Sequence, residues 1–170
     1  MKPTSSQEPR VVLVVGVFDL FHMGHVNMLR QARELGDELV VIVNGDELTS
    51  SYKRPPIMDE AHRLALIQAC RYVDHAIISN DYSIRDTVLR HKVTRIVHGD
   101  DWEADSYKAQ IRCDDAFLKA HGVELVLVPY TPGVSTSDLI RACADRVSEM
   151  PSLNAKGSGT NLDGEQPCRA

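Results

Sequence analysis

This 170-residue sequence contains no apolar run near the roughly 18 residues that a transmembrane helix requires, which argues against a membrane span. It also has no excess of positive charge: the formal net charge is −5, which argues against broad nucleic-acid binding. Hydrophobic residues make up 43% of the chain and charged residues 25%, so a fibrous or fully disordered protein is excluded. What remains is one globular domain with a sizeable core.

The four cysteines form no CxxC pair, and we interpret them as reduced thiols, although four cysteines alone leave disulfides open. Residues 1–10 are polar and lack the apolar core of a signal peptide, so we expect a flexible N-terminus and a cytoplasmic protein. Residues 148–170 are rich in Ser, Gly, Asn, Pro and Glu, and we expect a disordered tail there. A single domain is therefore predicted over residues 11–147.

Apolar runs alternate with amphipathic segments throughout that domain. Strands are predicted at residues 11–17, 38–44, 75–79, 95–98 and 123–128. Helices are predicted at residues 23–35, 59–71, 83–91, within 103–121, and at 135–147. A polar loop at 45–56 is long enough to act as a lid. This alternation predicts an α/β fold: a doubly wound, Rossmann-like five-stranded parallel sheet with helices on both faces.

The segment from Gly16 to His25 carries the strongest functional signal. It joins the first predicted strand to the first predicted helix, so it lies at the carboxyl end of a parallel strand, where such sheets bind ligands. Backbone N–H groups that open a helix attract anions, and Gly24 allows a phosphate to approach closely. His22 and His25 add two N–H donors, charged or neutral. The segment therefore predicts a phosphate-binding site.

Two other interpretations of the histidine pair stay open. Histidines three residues apart occur in zinc sites, but zinc needs a third protein ligand, and Asp19 is the only candidate nearby. Either histidine can also be an ordinary core residue with its hydrogen bonds satisfied. The position of both beside a glycine at a strand end favours the phosphate site.

Three further clusters fall at strand ends or in loops. Lys53 and Arg54, with Arg63 on the next helix, can neutralise a polyphosphate, although a solvated basic loop is the alternative. The acidic segment 98–102 can bind Mg²⁺, a ribose or a base amino group, or can simply cap a turn. The hydroxyl-rich segment 131–138 precedes the last helix and suggests a second phosphate cradle.

Together these motifs resemble a known family. The segment 16–25 is similar to the HxGH signature of the nucleotidyltransferase superfamily, which also contains adenylyltransferases. The segments 46–49, 71–74, 97–101 and 133–140, with Lys53, resemble the cytidylyltransferases that act on phosphocholine, phosphoethanolamine and glycerol 3-phosphate. The resemblance covers about residues 11–146. It implies that the acceptor phosphate attacks the α-phosphorus of CTP in line, releasing pyrophosphate and forming a CDP-alcohol.

The resemblance also implies roles for individual residues. His22, His25 and Lys53 would be catalytic: the histidines stabilise charge on the α-phosphate, and Lys53 bridges donor and acceptor phosphates. Contacts with the nucleotide are expected from Gly16, Phe18, Gly24, Arg63, Asp100, Ser135 and Thr136. Asp19 and Tyr82 would bind the acceptor, and Arg71 would lie at a homodimer interface or on the nucleotide. Mg²⁺ is expected as the cofactor, bound mainly through the CTP phosphates rather than by a protein metal site.

One position departs from the family pattern. Relatives usually carry arginine before the Gly-Val-Ser-Thr run, where this chain has Tyr130, and tyrosine cannot supply that charge. The acceptor is therefore open among glycerol 3-phosphate, phosphoethanolamine, phosphocholine and a phosphonate. Two rival functions also stay open: an adenylyltransferase that uses ATP, and a nucleotide-binding module without catalysis.

Overall fold

A computed structural model describes residues 8–149, which form a five-stranded sheet with flanking helices. The strands are β1 Val11–Gly16, β2 Glu38–Asn44, β3 His75–Ser79, β4 Val93–Gly99 and β5 Glu124–Val128. The helices are α1 Met23–Glu34, α2 Asp46–Tyr52, α3 Glu60–Gln68, α4 Arg85–Arg90, α5 Ala104–Gln110, α6 Asp115–Ala120 and α7 Thr136–Glu149. All neighbouring strands are parallel, in the order β3-β2-β1-β4-β5. The predicted α/β fold is confirmed.

The central strand β1 is buried on both faces of the sheet, which explains its continuous apolar sequence. Successive side chains of a strand point to opposite faces. Val11, Leu13 and Val15 therefore pack in a core that includes residues of α4, α5 and α6. Val12 and Val14 pack in a second core with residues of α1 and α3. Both faces are covered by helices, as a parallel sheet requires.

The strand order brings the ends of β1 and β4 together. From β1 the chain runs outward through β2 and β3, and then returns to place β4 on the other side of β1. Such a switch point opens a crevice at the carboxyl ends of the strands. The loops that follow β1 and β4 therefore border the same space.

Two local predictions were wrong. The segment 45–56 is not an open loop, because residues 46–52 form α2, with Gly45 at its N-cap and Asp46 and Glu47 in its first turn. The segment 103–121 is not one helix but two, and the chain turns between them at Arg112, whose φ is 53°. Asp114 then starts α6 by accepting a hydrogen bond of 2.8 Å from the Phe117 N–H.

The ends of the chain are described only in part. Our predictions for a flexible N-terminus and a disordered tail lie mostly on residues 1–7 and 150–170, which are outside the described residues. Ser148 and Glu149, which we placed in the tail, belong to α7. Within residues 8–149, no helix is both long enough and apolar enough to cross a membrane.

Candidate active site

A cavity of about 490 Å³ opens at the carboxyl ends of the strands. This volume falls within the usual range for small-molecule sites. Its walls come from the loops after β1 and β4, from α2 and the segment after it, and from the start of α7. The predicted site residues that line it are Gly16, Phe18, Asp19, His22, Gly24, His25, Lys53, Tyr82, Ser135 and Thr136. The fold thus brings together residues up to 120 positions apart in sequence.

The two histidines form the amino-terminal cap of α1. The His22 Nδ1 accepts the Gly24 N–H at 3.1 Å, and the His25 Nδ1 accepts the His22 N–H at 3.3 Å. Their rings stack with centroids 3.8 Å apart. Because each Nδ1 accepts a hydrogen bond, a neutral ring carries its proton on Nε2. The cap therefore fixes the tautomer of both histidines.

Both imidazoles are neutral near pH 7. Burial lowers the pKa of His22 below its usual value. Burial also lowers the pKa of His25, to about 3, with further lowering by His22 and Lys53 and an opposing effect of Asp19. The His25 ring packs against Phe21 and against the edge of Phe18, at centroid distances of 5.7 and 5.3 Å. The corner thus offers two oriented neutral N–H donors, which the sequence alone left undecided.

Gly24 is required by the close approach of the helix start to the His22 ring. A Cβ at this position would lie 2.9 Å from Cε1 and 3.0 Å from Nδ1 of His22. Any side chain would displace the ring and break the hydrogen bond that holds it. Gly24 thus leaves the space that the His22 ring needs to accept the N–H hydrogen bond at the helix start.

Asp19 ties the segment after α2 to the histidine corner. Its carboxylate is 5% exposed and accepts the N–H groups of Ile57 and Met58 at 3.0 Å and the Arg54 guanidinium at 3.2 Å. Burial raises the pKa of Asp19, but these hydrogen bonds outweigh it and lower the pKa overall. Phe18 and Leu20, on either side, have φ values of 57° and 47°, a conformation that only a strongly constrained loop maintains.

Lys53 lies at the carboxyl end of α2 and lines the cavity with an exposed side chain. Within residues 8–149 its ammonium forms no ion pair. Tyr82 lies on the same side, where its hydroxyl is 2.6 Å from the Ser51 Oγ. The segment that carries Lys53 is anchored by Asp19 from residue 54 onward, rather than forming a free loop.

Arg63 does not reach the cavity, contrary to our prediction that it contacts the triphosphate. Its side chain is 0% exposed. Its guanidinium donates to the carbonyls of Met58, Val17 and Asn44 and pairs with Asp46. These contacts use every guanidinium nitrogen, so Arg63 holds the loop after β1 against the ends of β2 and α3.

Two more predicted site residues lie outside the cavity lining, Asp100 and Arg71. Asp100 does not line the cavity, because its carboxylate accepts the Tyr130 N–H at 2.8 Å and so joins the loops after β4 and β5. Its neighbour Asp101 lines the cavity instead. Arg71 is exposed in the turn between α3 and β3, outside the cavity lining, and its place at an interface or on the nucleotide stays a prediction.

The start of α7 forms the opposite wall. Ser135 caps the helix through reciprocal hydrogen bonds with Asp138, and the Thr136 hydroxyl donates to the Asp19 carbonyl at 2.9 Å. These hydroxyls are occupied within the protein. The backbone N–H groups of Thr136 and Ser137 lie in the first turn, where a helix has no internal acceptors, and they can bind an anion.

An aromatic cluster in the cavity wall joins His98 and Trp102, from the predicted segment 98–102, to Tyr107. The His98 and Tyr107 rings stack 3.9 Å apart, and the edge of Trp102 contacts both. Within the described residues, the His98 Nδ1 and the Tyr107 hydroxyl are buried without a hydrogen-bond partner. Burial lowers the pKa of His98 and raises that of Tyr107, so both are neutral at pH 7. No sequence signal marks Tyr107, which lies within an ordinary amphipathic segment.

The site combines oriented neutral donors, one unpaired ammonium and a helix amino terminus around a single cavity. This combination is suited to binding a phosphate-containing ligand. Residues 13–142 match the model of a family described as cytidylyltransferase-like. The chain therefore belongs to the cytidylyltransferase-like family.

Three relatives show the range of the family. The ethanolamine-phosphate cytidylyltransferase of Arabidopsis thaliana is 34% identical over 153 residues, which cover 88% of this chain but 36% of the relative. This chain thus spans little more than a third of that relative's length. The glycerol-3-phosphate cytidylyltransferase of Bacillus subtilis is 31% identical and matched over 75% of this chain and 92% of its own length. The FAD synthase of Pyrococcus horikoshii is 42% identical over 125 residues, which cover 70% of this chain and 80% of the relative.

A solved structure supports the fold independently. The lipopolysaccharide core biosynthesis protein of Thermoplasma volcanium superimposes with a TM-score of 0.62 at 32% identity, over 73% of this chain and 99% of that protein. The architecture described above is thus shared with an experimental structure.

Proposed function

We propose that this chain transfers CMP from CTP to the phosphate or phosphonate of a small acceptor and releases pyrophosphate. The observation that carries the proposal is the histidine cap: two neutral Nε2–H donors held beside Lys53 in one cavity. The cytidylyltransferase relatives support CTP as the donor.

The reaction needs positioning more than acid–base chemistry. An ionised oxygen of the acceptor attacks the α-phosphorus, and the bond from that phosphorus to the oxygen bridging the β-phosphate breaks as pyrophosphate leaves. Because the acceptor oxygen is already an anion near neutral pH, no general base is required. The barrier then depends on orientation and on stabilising the charge that spreads over the phosphate oxygens.

The cavity residues suit those tasks. His22 and His25 would donate to oxygens of the α-phosphate, and such oriented donors need no rearrangement as charge develops. Lys53 would lie between donor and acceptor phosphates and reduce their repulsion. The first-turn N–H groups of Thr136 and Ser137 would bind the β- and γ-phosphates.

We also propose Mg²⁺ as the cofactor, carried by the nucleotide phosphates. Within residues 8–149, no group of three or more His, Cys, Asp or Glu side chains is placed to hold a metal ion. Bound to the triphosphate, Mg²⁺ would neutralise charge that Tyr130 cannot. This suits a cavity whose wall at α7 carries no lysine or arginine among the described lining residues.

The FAD synthase relatives favour a second candidate, nucleotidyl transfer to a flavin phosphate.

Pyrophosphate release should be measured with CTP and ATP against phosphoethanolamine, glycerol 3-phosphate, phosphonates and FMN. We expect turnover with CTP and a small acceptor. Turnover with FMN alone would establish the second candidate, and CTP binding without turnover would show a non-catalytic module.

A further inference from the structure

Two cationic and two anionic side chains line the side of the cavity formed by the segments after β1, α2 and β3. We call its lining residues Asp19, Lys53, Arg54, Asp81 and Tyr82 the acceptor wall. The name depends on the proposed function, in which the acceptor phosphate faces Lys53. The charges of this wall decide which second group on an acceptor it favours.

Both carboxylates of the acceptor wall are engaged within the protein. Asp19 accepts two backbone N–H groups and the Arg54 guanidinium, and its charge is buried. Asp81 accepts the Ser83 N–H at 2.8 Å in its own turn and is exposed to solvent, which screens it. An ammonium group at the acceptor wall would therefore meet no buried carboxylate that is free of other contacts.

The two cations of the wall are differently placed. Lys53 has no ion-pair partner among the described residues, and the Arg54 side chain is 41% exposed. Both terminal nitrogens of Arg54 contact one oxygen of Asp19, at 3.3 and 3.2 Å, and one of them also donates to the Pro55 carbonyl at 3.1 Å. These contacts are longer than the 2.7–2.9 Å typical of strong charge-assisted hydrogen bonds.

The Asp19 carboxylate would keep two backbone donors if the Arg54 side chain turned away from it. The N–H groups of Ile57 and Met58 contact both oxygens of the Asp19 carboxylate and remain in place. A planar guanidinium is also well suited to a two-point contact with a carboxylate. Arg54 is thus a cation held at the cavity edge and able to turn toward an anionic ligand.

We propose that Arg54 determines acceptor specificity by binding a carboxylate that the acceptor carries beside its phosphate or phosphonate. On this basis the chain favours short phosphocarboxylates or phosphonocarboxylates over phosphorylated amino alcohols. It would then differ in substrate from the relative named as acting on ethanolamine phosphate. The group-transfer step is the one proposed above, with the carboxylate unchanged.

The test compares two acceptors of similar size: phosphoglycolate, which ends in a carboxylate, and phosphoethanolamine, which ends in an ammonium. The kcat/KM ratio of the two is measured with CTP for the wild type, Arg54→Gln, Arg54→Lys and the control Arg30→Gln. Arg30 lies on α1 outside the cavity lining and pairs with Glu34. We expect the wild type to prefer phosphoglycolate and Arg54→Gln to reduce the ratio about tenfold or more.

Arg54→Lys should retain part of the preference, and Arg30→Gln should retain all of it. A wild-type preference for phosphoethanolamine would overturn the inference, and so would an Arg54→Gln variant with an unchanged ratio. An equal loss with both acceptors would show that Arg54 only supports the loop.

Calorimetric titration of the two acceptors into the protein with a non-hydrolysable CTP analogue separates this inference from the proposed function. Tighter binding of phosphoglycolate that depends on Arg54, without turnover, would support the inference and refute the transferase. Turnover of CTP with an acceptor preference that does not depend on Arg54 would support the transferase and refute the inference about Arg54.

Discussion

At His25 the fold removes the positive charge that a histidine ordinarily gains in mild acid. The ring is enclosed by Phe18, Phe21 and His22, and its Nδ1 accepts a backbone N–H. Burial is the main cause of the low pKa. A neutral N–H donor held in a fixed direction interacts most strongly with an oxygen in one position. It therefore suits negative charge that develops on a phosphate oxygen only during the reaction.

The first prediction concerns acid stability. The pKa of His25 is about 3 in the folded protein against an ordinary 6.5, so between these values the unfolded chain binds a proton that the folded protein does not. The contribution of His25 to the free energy of unfolding is fully present above pH 6.5 and declines as the pH falls toward 3. In thermal denaturation, the Tm of the wild type should fall further between pH 7 and pH 4.5 than the Tm of His25→Gln. Equal losses would contradict the low pKa.

A second prediction concerns catalysis by the same residue. His25→Ala should lower kcat by about 100-fold or more, because a donor aimed at developing charge is worth roughly that factor. The affinity for CTP should weaken much less, since the donor matters most in the transition state. Steady-state kinetics with titration of CTP binding would check both values, and a near wild-type kcat would refute the role.

Tyr107 presents a polar atom without a partner in the described structure, which leads to a third prediction. Its hydroxyl is buried and its side chain packs in the core beside β1. An unsatisfied buried hydroxyl costs free energy, so Tyr107→Phe should raise the free energy of unfolding by about 1 kcal/mol. Urea denaturation measures this, and the control Tyr52→Phe should instead lose stability, because the Tyr52 hydroxyl accepts a hydrogen bond from Asn44 at 2.9 Å. A less stable Tyr107→Phe would show that the hydroxyl has a partner.

Among the elements, α2 and the segment 53–58 differ most from expectation. A polar stretch with few apolar residues has no helical periodicity, yet Leu48 and Thr49 are buried and hold α2 in place. Beyond it, Asp19 fixes the chain at residues 57 and 58. Closure over substrates would therefore involve a short motion around Lys53 rather than the opening of a long loop.

The fourth prediction is that Lys53→Ala raises the acceptor KM and lowers kcat. A single ammonium between two phosphates has a large effect where the site excludes water. Since the side chain is exposed, Tm should hardly change. Lys53→Arg should recover only part of the activity, because a planar guanidinium does not replace a compact ammonium.

Lys119→Ala provides the matched control, since Lys119 is an exposed lysine on α6 outside the cavity lining. It should leave both kinetic constants unchanged. If Lys53→Ala behaved in the same way, Lys53 would be an ordinary surface lysine.

For the whole molecule, we propose a homodimer whose interface includes the turn 71–74. Asp74 is engaged internally, because its carboxylate accepts the Leu39 N–H at 2.8 Å and lies 3.5 Å from Arg33. Arg71 is exposed and remains available to a second copy. Closed two-fold dimers are the commonest oligomers.

The fifth prediction follows from this assembly. Light scattering should give a mass of two 18.9 kDa chains at micromolar concentration, and Arg71→Glu should shift it toward one. Arg30→Glu, a charge reversal on α1, should leave the dimer intact. A wild-type monomer would contradict the proposal.

The sequence by itself determined the fold class and the position of the histidine corner at the cavity. The continuous apolar residues of β1 favour burial on both faces, and a parallel sheet covered by helices provides that. Local chemistry likewise placed His22, Gly24 and His25 at a helix start, because the cap is built from residues within four positions of one another.

Only the tertiary structure decided which charged side chains line the cavity. Arg63 and Arg54 look alike in sequence, but one is buried under backbone carbonyls and the other lies at the cavity edge. Asp100 and Asp101 are neighbours, yet only Asp101 lines the cavity. The ionisation of His25 was equally undetermined, because burial and hydrogen bonding depend on elements that are distant in the chain.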